Sequence, residues 1–291
     1  MLASIPASNS AEPVRSGFWR GFARNRAAVI GLVLVLIVIA MALLAPYLSD
    51  NGPWDMVQRP YLWPGDAPGF LLGTDTLGRD LFAGLLYGAR VSLMIGLVAT
   101  ATAVLIGTVV GAIAGYFGGW TDTILMRLTE IIQTMPPMIL AIVIVAVFTP
   151  TVTTVMLAIA TISWPAIARL VRGETLRLRN TEFVQSCLAL GMNDARIILT
   201  QILPNCLAPV VVTASVMVSS AILIEAGLAF LGLSDPDMMS WGLMIATGRE
   251  ALRTAWYIVT IPGLAILFTV LGLNLLGDGL NDALNPRLKE R

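Results

Sequence analysis

Six apolar runs, each long enough to cross a lipid bilayer, dominate this chain and restrict the folds that are open to it. Roughly 20 apolar residues in a helix cross the hydrocarbon core, and a helix satisfies its own backbone hydrogen bonds there. The sequence therefore predicts an all-α, polytopic membrane protein with six transmembrane helices. The predicted spans cover residues 28–48, 91–115, 123–148, 151–170, 205–230 and 257–276.

The composition and the short motifs exclude several classes of function. The chain carries 18 basic and 18 acidic residues, and this zero net charge gives no electrostatic footprint for nucleic acid. It contains no histidine, which excludes histidine zinc sites and Ser-His-Asp triads. It also lacks a P-loop and a G-x-S-x-G motif. We therefore expect no catalytic residue, no metal site and no cofactor bound by this chain.

Arginine and lysine fall mainly on one side of the predicted spans. If the N-terminus lies in the cytoplasm, 13 of the 18 basic residues fall in cytoplasmic segments and 5 fall outside. This bias follows the positive-inside rule, so we expect both termini in the cytoplasm. The expected segments are a tail with an interfacial helix at 1–27, the first span at 28–48, an extracytoplasmic loop at 49–90, a five-helix core at 91–281 and a cytoplasmic tail at 282–291.

Two segments predict breaks or starts of helices. Pro136 and Pro137 lie inside the third apolar run and should bend that helix. The sequence GTDTLGRD at 73–80 could contact a partner protein, or it could form a turn that starts a helix leading into the second span. We favour the turn, with a helix cap at Asp75 or Thr76.

The segment at 172–204 is the longest polar interruption in the C-terminal half, and it has the pattern helix, glycine, helix. Gly191 is expected to end the first helix in a left-handed conformation. Phe183, Cys187 and Leu190 recur at helical spacing and predict an apolar face. The predicted caps are Asn180 or Thr181 for the first helix and Asn193 for the second.

The apolar face of this loop could meet either of two surfaces. It could bind a protein groove, as amphipathic helices often do. It could also lie on lipid, which the nearby Arg172, Arg177 and Arg179 would suit. The periodicity alone leaves both possibilities open.

Glu225 is the one carboxylate well inside an apolar run. An ionisable residue in a membrane usually faces the bundle or a wet cavity. It could border a translocation path, or it could pair with a loop arginine such as Arg90 or Arg249, which we favour. Ser215 and Ser219 on the same run are further path candidates, although such residues more often mediate helix packing.

The loop at 172–204 also fits the spacing of a known signature, EAA-x3-G-x9-I-x-L-P, of bacterial ABC-importer permeases. The matching positions are Gly191, Leu203 and Pro204, and the departing ones are Gln185, Ser186, Cys187 and Gln201. Other segments are GTDTLGRDLFAGLLYGARVSL at 73–93, GYFGGWTDTILMRL at 115–128, EAGLAFLGL at 225–233, SWG at 240–242 and NLLGDGLNDALNPR at 274–287. Together they resemble the dipeptide/oligopeptide/nickel permease family, and within it the C-type permease subunit.

This resemblance implies a type I ABC importer permease fold and ATP-driven import of di- or oligopeptides or a related small solute. The implied partners are a second, B-type permease subunit, two cytoplasmic ABC ATPase subunits that carry ATP and Mg, an extracytoplasmic solute-binding protein and the lipid of a bacterial inner membrane. The loop would be a coupling helix docked in an ATPase groove. The residues that would carry this coupling are Glu182, Phe183, Gln185, Cys187, Leu188, Leu190, Gly191, Leu203 and Pro204.

The loop departs from the family at positions that usually carry charge. The family usually has an arginine where Leu188 stands, and Gln185 replaces the carboxylate of E-A-A. A less polar helix should depend more on its apolar face and on Gly191. The alternatives are a nickel or other small-solute importer, a secondary transporter and a membrane enzyme. A secondary transporter usually has repeated halves, and none is evident in this sequence. A membrane enzyme needs a set of catalytic residues, and the sequence shows none.

Overall fold

The structure is a computed structural model that describes residues 22–23 and 25–284. These residues form helices joined by loops, and the only strand-like pairings among them are two isolated bridges within residues 56–80. The all-α prediction is therefore confirmed. Most of the interfacial helix expected within 1–27 and most of the tail at 282–291 lie outside the described residues.

The helices follow the apolar runs but extend beyond several of them. They are α1 (Arg26–Leu48), α2 (Leu81–Phe117), α3 (Gly119–Thr134), α4 (Pro137–Val147), α5 (Val152–Arg179), α6 (Glu182–Ala189), α7 (Asp194–Ile197), α8 (Leu203–Phe230), α9 (Trp241–Gly248) and α10 (Tyr257–Leu284). A π-helical turn, Ile198–Ile202, joins α7 to α8 without a break in the helical path.

The third predicted span is a broken one. Helices α3 and α4 are bent by 88° relative to each other, at the prolines that predicted a bend. Met135 and Pro136 are extended there, and α4 has only 11 residues, too few to cross a bilayer by itself. The described residues therefore contain five long spans, or six if the bent pair counts as one.

Helices α2 and α5 pack backbone to backbone, because glycines of α2 face α5. A Cβ atom at Gly111 would lie 2.3 Å from the carbonyl oxygen of Ala168. At Gly107 and Gly115, a Cβ atom would lie 2.6 and 2.8 Å from carbonyl oxygens of α5. Contacts this short leave no room for a side chain, so the three glycines set the distance between the helices.

The start of α2 is capped one residue before the helix begins. The Asp80 carboxylate accepts a hydrogen bond from the Phe82 N–H at 2.9 Å. The predicted cap at Asp75 or Thr76 is therefore wrong. Asp75 closes the preceding turn instead, because its carboxylate accepts the Arg79 N–H at 2.9 Å and pairs with the Arg79 guanidinium at 2.6 Å. The turn interpretation of residues 73–80 itself agrees with the structure.

Candidate functional site

The loop at 172–204 folds into two helices that meet at Gly191. The backbone φ of Gly191 is +75°, in the left-handed region, as predicted. The Gly191 N–H donates to the Leu188 carbonyl at 3.0 Å, and the Met192 N–H donates to the Cys187 carbonyl at 3.1 Å. This pair of bonds forms a Schellman motif, which satisfies carbonyls that the end of α6 would leave free.

Polar side chains close the helix ends on either side of α6, in α5 and α7. The Asn193 side chain accepts the Ala195 N–H at 3.1 Å and caps α7, as predicted. Thr181 is the N-cap residue of α6, but its side chain makes no capping bond. The Gln185 amide donates to the Arg179 carbonyl at 2.9 Å, so this side chain closes the end of α5. Gln185 therefore has a structural contact within the chain.

Helix α6 has a buried side and an exposed side, and the division differs from the predicted face. Val184 is fully buried, and Cys187 packs half-buried against the same apolar cluster. Phe183, Leu188 and Leu190 are 41%, 39% and 84% exposed. The rest of the cluster is Tyr116, Leu178, Ile197, Ile202 and Cys206. Cys187 thus leaves the predicted face, and Val184, three residues before it, was missed although this spacing places both on one side.

The remaining loop residues of the predicted set lie at its two ends. Glu182 is exposed in the first turn of α6, and its carbonyl accepts the Ser186 hydroxyl at 2.8 Å. Leu203 is partly buried against an apolar cluster that includes Ile167 of α5. Pro204 is exposed in the first turn of α8, where a missing N–H is tolerated. Glu182 therefore lies in α6, whereas Leu203 and Pro204 lie at the start of α8.

The arginines near α6 make contacts within the chain. Arg172 forms a two-pronged ion pair with Asp122 of α3, with one N–O distance of 2.5 Å. The Arg177 guanidinium lies 2.6 Å from the Glu174 carboxylate. The Arg179 guanidinium lies 5.8 Å from the centre of the Tyr116 ring. Two of these three arginines are thus paired with carboxylates of the chain itself.

Glu225 is 2% exposed, and its hydrogen-bond partner is a serine. The Ser240 hydroxyl donates to Glu225 Oε1 at 2.6 Å, and Oε2 accepts no hydrogen bond within residues 25–284. Arg249 donates to the Phe230 carbonyl at 2.7 Å instead. The ion pairs between described residues include neither Arg90 nor Arg249, so the favoured arginine pairing is not formed there.

The two serine candidates on α8 differ in environment. The Ser215 hydroxyl donates to the Val212 carbonyl at 2.7 Å. A Cβ atom added to Gly277 of α10 would lie 2.4 Å from the Ser215 hydroxyl oxygen. Ser215 therefore packs closely against α10 and mediates helix packing. Ser219 is 2% exposed, and its hydroxyl has no partner in the described part of the chain. Ser219 and Glu225 therefore each have a buried polar atom without a hydrogen-bond partner among the described residues.

Trp241 connects the residues around Glu225 to α2. Its side chain is fully buried, and its indole N–H donates to the Leu85 carbonyl at 2.9 Å. Its backbone N–H donates to the Ser92 hydroxyl at 3.2 Å. Ser240, the neighbour of Trp241, bonds Glu225 as described above. This chain of contacts joins α8, α9 and α2 at the end of the bundle opposite the 172–204 loop.

We expect a Glu225→Ala variant to unfold at a clearly lower temperature than wild type. The change leaves the buried Ser240 hydroxyl without its acceptor and opens a cavity, which together cost about 2 kcal/mol or more. Glu225→Gln keeps an acceptor oxygen and nearly the same volume, so it should lose less than half as much. Thermal unfolding of the purified proteins in detergent tests this order. Equal losses in both variants would show that the carboxyl does not act through Ser240.

Exposed apolar side chains are the main feature of the region around α6. Within residues 22–23 and 25–284, no group of three or more His, Cys, Asp or Glu side chains is arranged to hold a metal ion. The exposed apolar side chains of α6 stand on a short helix whose other side is buried. Such a helix can fill a hydrophobic groove without losing much conformational freedom.

Two family models cover most of the chain. Residues 107–290 match the model described as "Binding-protein-dependent transport system inner membrane component". Residues 15–64 match the model described as "N-terminal TM domain of oligopeptide transport permease C". The two matches lie on either side of residues 65–106, which include the start of α2.

The similarity to curated proteins extends over nearly the whole length of this chain. The di/tripeptide transport system permease protein DppC of Pseudomonas aeruginosa is 40% identical, over 99% of this chain and 96% of that protein. The glutathione transport system permease protein GsiD of Pectobacterium atrosepticum is 39% identical, over 99% and 97%. The dipeptide transport system permease protein DppC of Escherichia coli is 42% identical, over 94% and 93%.

A solved structure shares the fold at low sequence identity. A chain of the MetNI methionine ABC transporter in an inward-facing conformation matches with a TM-score of 0.55. The identity is 17%, and the match covers 67% of this chain and 93% of that chain. The helical arrangement described above is therefore that of an ABC importer permease.

Proposed function

The chain belongs to the family of binding-protein-dependent transport system inner membrane components, and we propose that it imports peptides by using ATP hydrolysed on partner subunits. The protein is a multi-pass membrane permease subunit of an ABC importer. Its proposed contribution is half of the membrane path and a docking helix. ATP and Mg are proposed to bind the partners, in line with the lack of a P-loop in this chain.

The exposed apolar side chains on and next to α6 are the observation that carries this proposal. Phe183 and Leu190, seven positions apart, project on one side of the buried Val184, and Leu188 projects on the other side. Three apolar side chains on a fixed helix suit a groove on an ATPase subunit. The lipid alternative relied on the three nearby arginines, and these already contact the Asp122 and Glu174 carboxylates and the Tyr116 ring. Docking to protein therefore accounts for the loop better than lipid contact does.

The remaining partners and the solute are proposed from the relatives. We expect a second, B-type permease, two ABC ATPase subunits and an extracytoplasmic solute-binding protein. The names of the relatives refer to dipeptides, di/tripeptides and glutathione, so a short peptide is the proposed solute. A nickel or other small-solute importer is the alternative within the same family. The selectivity would lie largely in the binding protein.

The proposed orientation places the 172–204 loop and both termini in the cytoplasm of a bacterial cell. Of the 18 basic residues, 13 lie on that side, as the positive-inside rule requires. The same orientation places residues 49–80 and α9 on the extracytoplasmic side. There they could meet a solute-binding protein, while α6 meets the ATPase.

The proposed path borders α8. Ser219 and Glu225 are its best candidates, because each has a buried polar atom that bonds no other group within residues 25–284. Ser215 is a weaker candidate, since its hydroxyl bonds the Val212 carbonyl and packs near α10. An intramembrane carboxyl normally faces a wet or functional region of the bundle.

Co-purification and transport measurements test the proposed function. We expect a P-loop ATPase to co-purify with the chain after extraction from the membrane. We expect uptake in reconstituted vesicles to require ATP on the side of the membrane that carries the ATPase subunits. Replacing Leu190 by aspartate should reduce the recovered ATPase at least about tenfold, because a buried charge would enter an apolar groove. Uptake that runs on an ion gradient without ATP would favour a secondary transporter and overturn the proposal.

A further inference from the structure

The C-terminal end of α2 meets the 172–204 loop through Tyr116. The Tyr116 hydroxyl donates to Asp194 Oδ1, at the start of α7, with an O–O distance of 2.6 Å. Tyr116 is 5% exposed, and its ring belongs to the same apolar cluster as Val184 of α6. The Arg179 guanidinium at the end of α5 lies over the same ring. One side chain of α2 therefore contacts α5, α6 and α7.

Asp194 stands on the far side of the Gly191 turn from α6. Asp194 is the first residue of α7, and α7 continues through the π-helical turn into α8. A force applied to α6 would reach α8 along this path by the chain itself. It would reach α2, which is distant in sequence, through contacts between elements: the close packing of α2 on α5, and the contacts that Tyr116 makes with α6 and α7. The Tyr116–Asp194 bond is the one hydrogen bond between α2 and the loop among the described residues.

Helix α2 is built to carry such a movement to the opposite end of the bundle. Along its inner half it packs against the α5 backbone at Gly107, Gly111 and Gly115. Near its other end, the Leu85 carbonyl and the Ser92 hydroxyl bond the buried Trp241. At 1.5 Å per residue, Leu85 and Tyr116 are about 46 Å apart along the helix. A single continuous helix thus links the loop to the α9 region.

We propose that Tyr116 is a positioning residue that transmits movement of the coupling loop to α2, and through α2 to the α9 region. The inference rests on the proposed function, in which an ATPase moves α6. It extends that function, because the loop then drives α2 as well as α5 and α8, which are its covalent neighbours. A hydrogen bond to a carboxylate is directional and strong, so it ties the two elements in one geometry.

The test is the number of solute molecules imported per ATP hydrolysed in the reconstituted complete transporter. Tyr116→Phe removes only the hydroxyl and keeps the ring in its apolar cluster. We expect it to lower this ratio by about 2- to 30-fold, the range of coupling changes caused by residues between two sites. The amount of ATPase that co-purifies should stay at the wild-type level, which separates lost transmission from lost docking.

Variants of Asp194 make the test independent of any effect on the folding of α2. Asp194→Asn retains an acceptor oxygen and should keep a ratio close to wild type, whereas Asp194→Ala should lower it as Tyr116→Phe does. The double variant Tyr116→Phe/Asp194→Ala should have an import ratio no lower than that of the more impaired single variant, because both changes remove the same bond. Tyr47→Phe is the matched control, since that side chain is 85% exposed and remote from the loop.

Two results would overturn the inference. One is a wild-type import ratio in Tyr116→Phe, and the other is full additivity of the two single losses in the double variant. Either result leaves the proposed function intact, provided that the wild-type complex imports solute with ATP. If the wild-type chain neither recruits an ATPase nor imports solute with ATP, the proposed function fails first and the inference fails with it.

Discussion

A Gly191→Val variant is expected to insert into the membrane at the wild-type level but to import little solute for the ATP that its partners hydrolyse. Gly191 has φ of +75°, and no atom lies within 4 Å of the position of an added Cβ. The effect of valine is therefore backbone strain and not a clash. The left-handed conformation costs an L-residue about 1–2 kcal/mol, and a β-branched residue more.

The strain would be relieved by a change in the angle between α6 and α7. That change would undo the Schellman bonds at Leu188 and Cys187 and move the exposed side chains of α6 away from the proposed ATPase groove. We expect uptake per ATP to fall at least about tenfold, the equivalent of 1.4 kcal/mol. The measurement compares uptake and ATP hydrolysis of reconstituted complexes.

Asparagine provides the matched control at the same position. Asn tolerates the left-handed conformation better than other non-glycine residues, so Gly191→Asn should keep most of the uptake. Gly191→Ala should fall between asparagine and valine. If valine and asparagine behave alike, the conformation of Gly191 is not what the coupling requires.

A Gly111→Ala variant is expected to unfold at a much lower temperature than wild type, although it adds only one methyl group. The added Cβ would lie 2.3 Å from the Ala168 carbonyl oxygen and 2.9 Å from the Val171 side chain. The nearest atom belongs to a helix backbone, so the two helices must separate. Overpacking of this kind costs about 1–3 kcal/mol, and the contacts at Gly107 and Gly115 would loosen as well.

Gly173→Ala is the control for the Gly111 variant, because it makes the same change in the partner helix. Gly173 lies within α5, and no atom is within 4 Å of an added Cβ. Alanine favours a helix over glycine by about 0.5–1 kcal/mol, so this variant should unfold at the same or a higher temperature. Opposite shifts in the thermal unfolding of the two detergent-purified variants are the expected result. A similar small shift in both would mean that the α2–α5 distance is not set by Gly111.

The sequence was a good guide to features that depend on local physics. Apolar runs predicted the spans, because a lipid environment imposes length and helicity on each segment separately. The prolines at 136 and 137 predicted the position of the bend, and Gly191 predicted a left-handed helix end. The spacing of the loop and several longer segments indicated the family, and the family models and relatives confirm it.

The helix cap at the start of α2 shows where local signals became ambiguous. Asp75 and Asp80 both precede the helix, and both residue types cap helices well. Which of the two aspartates caps α2 depends on the turn between them, and Asp75 closes that turn through its bonds to Arg79. That turn is in its place because residues 56–80 fold back on themselves, as the bridge between Met56 and Arg79 indicates.

By itself, the sequence determined that this chain crosses a membrane several times, which family it belongs to, and where the loop at 172–204 turns. Only the tertiary structure decided which side of α6 is buried, that Glu225 bonds Ser240, and that Tyr116 reaches Asp194. Periodicity specifies which residues share a face of a helix, but not what covers that face. The residues that pack on a helix face come from distant parts of the chain, so they reach it only when the helices pack together.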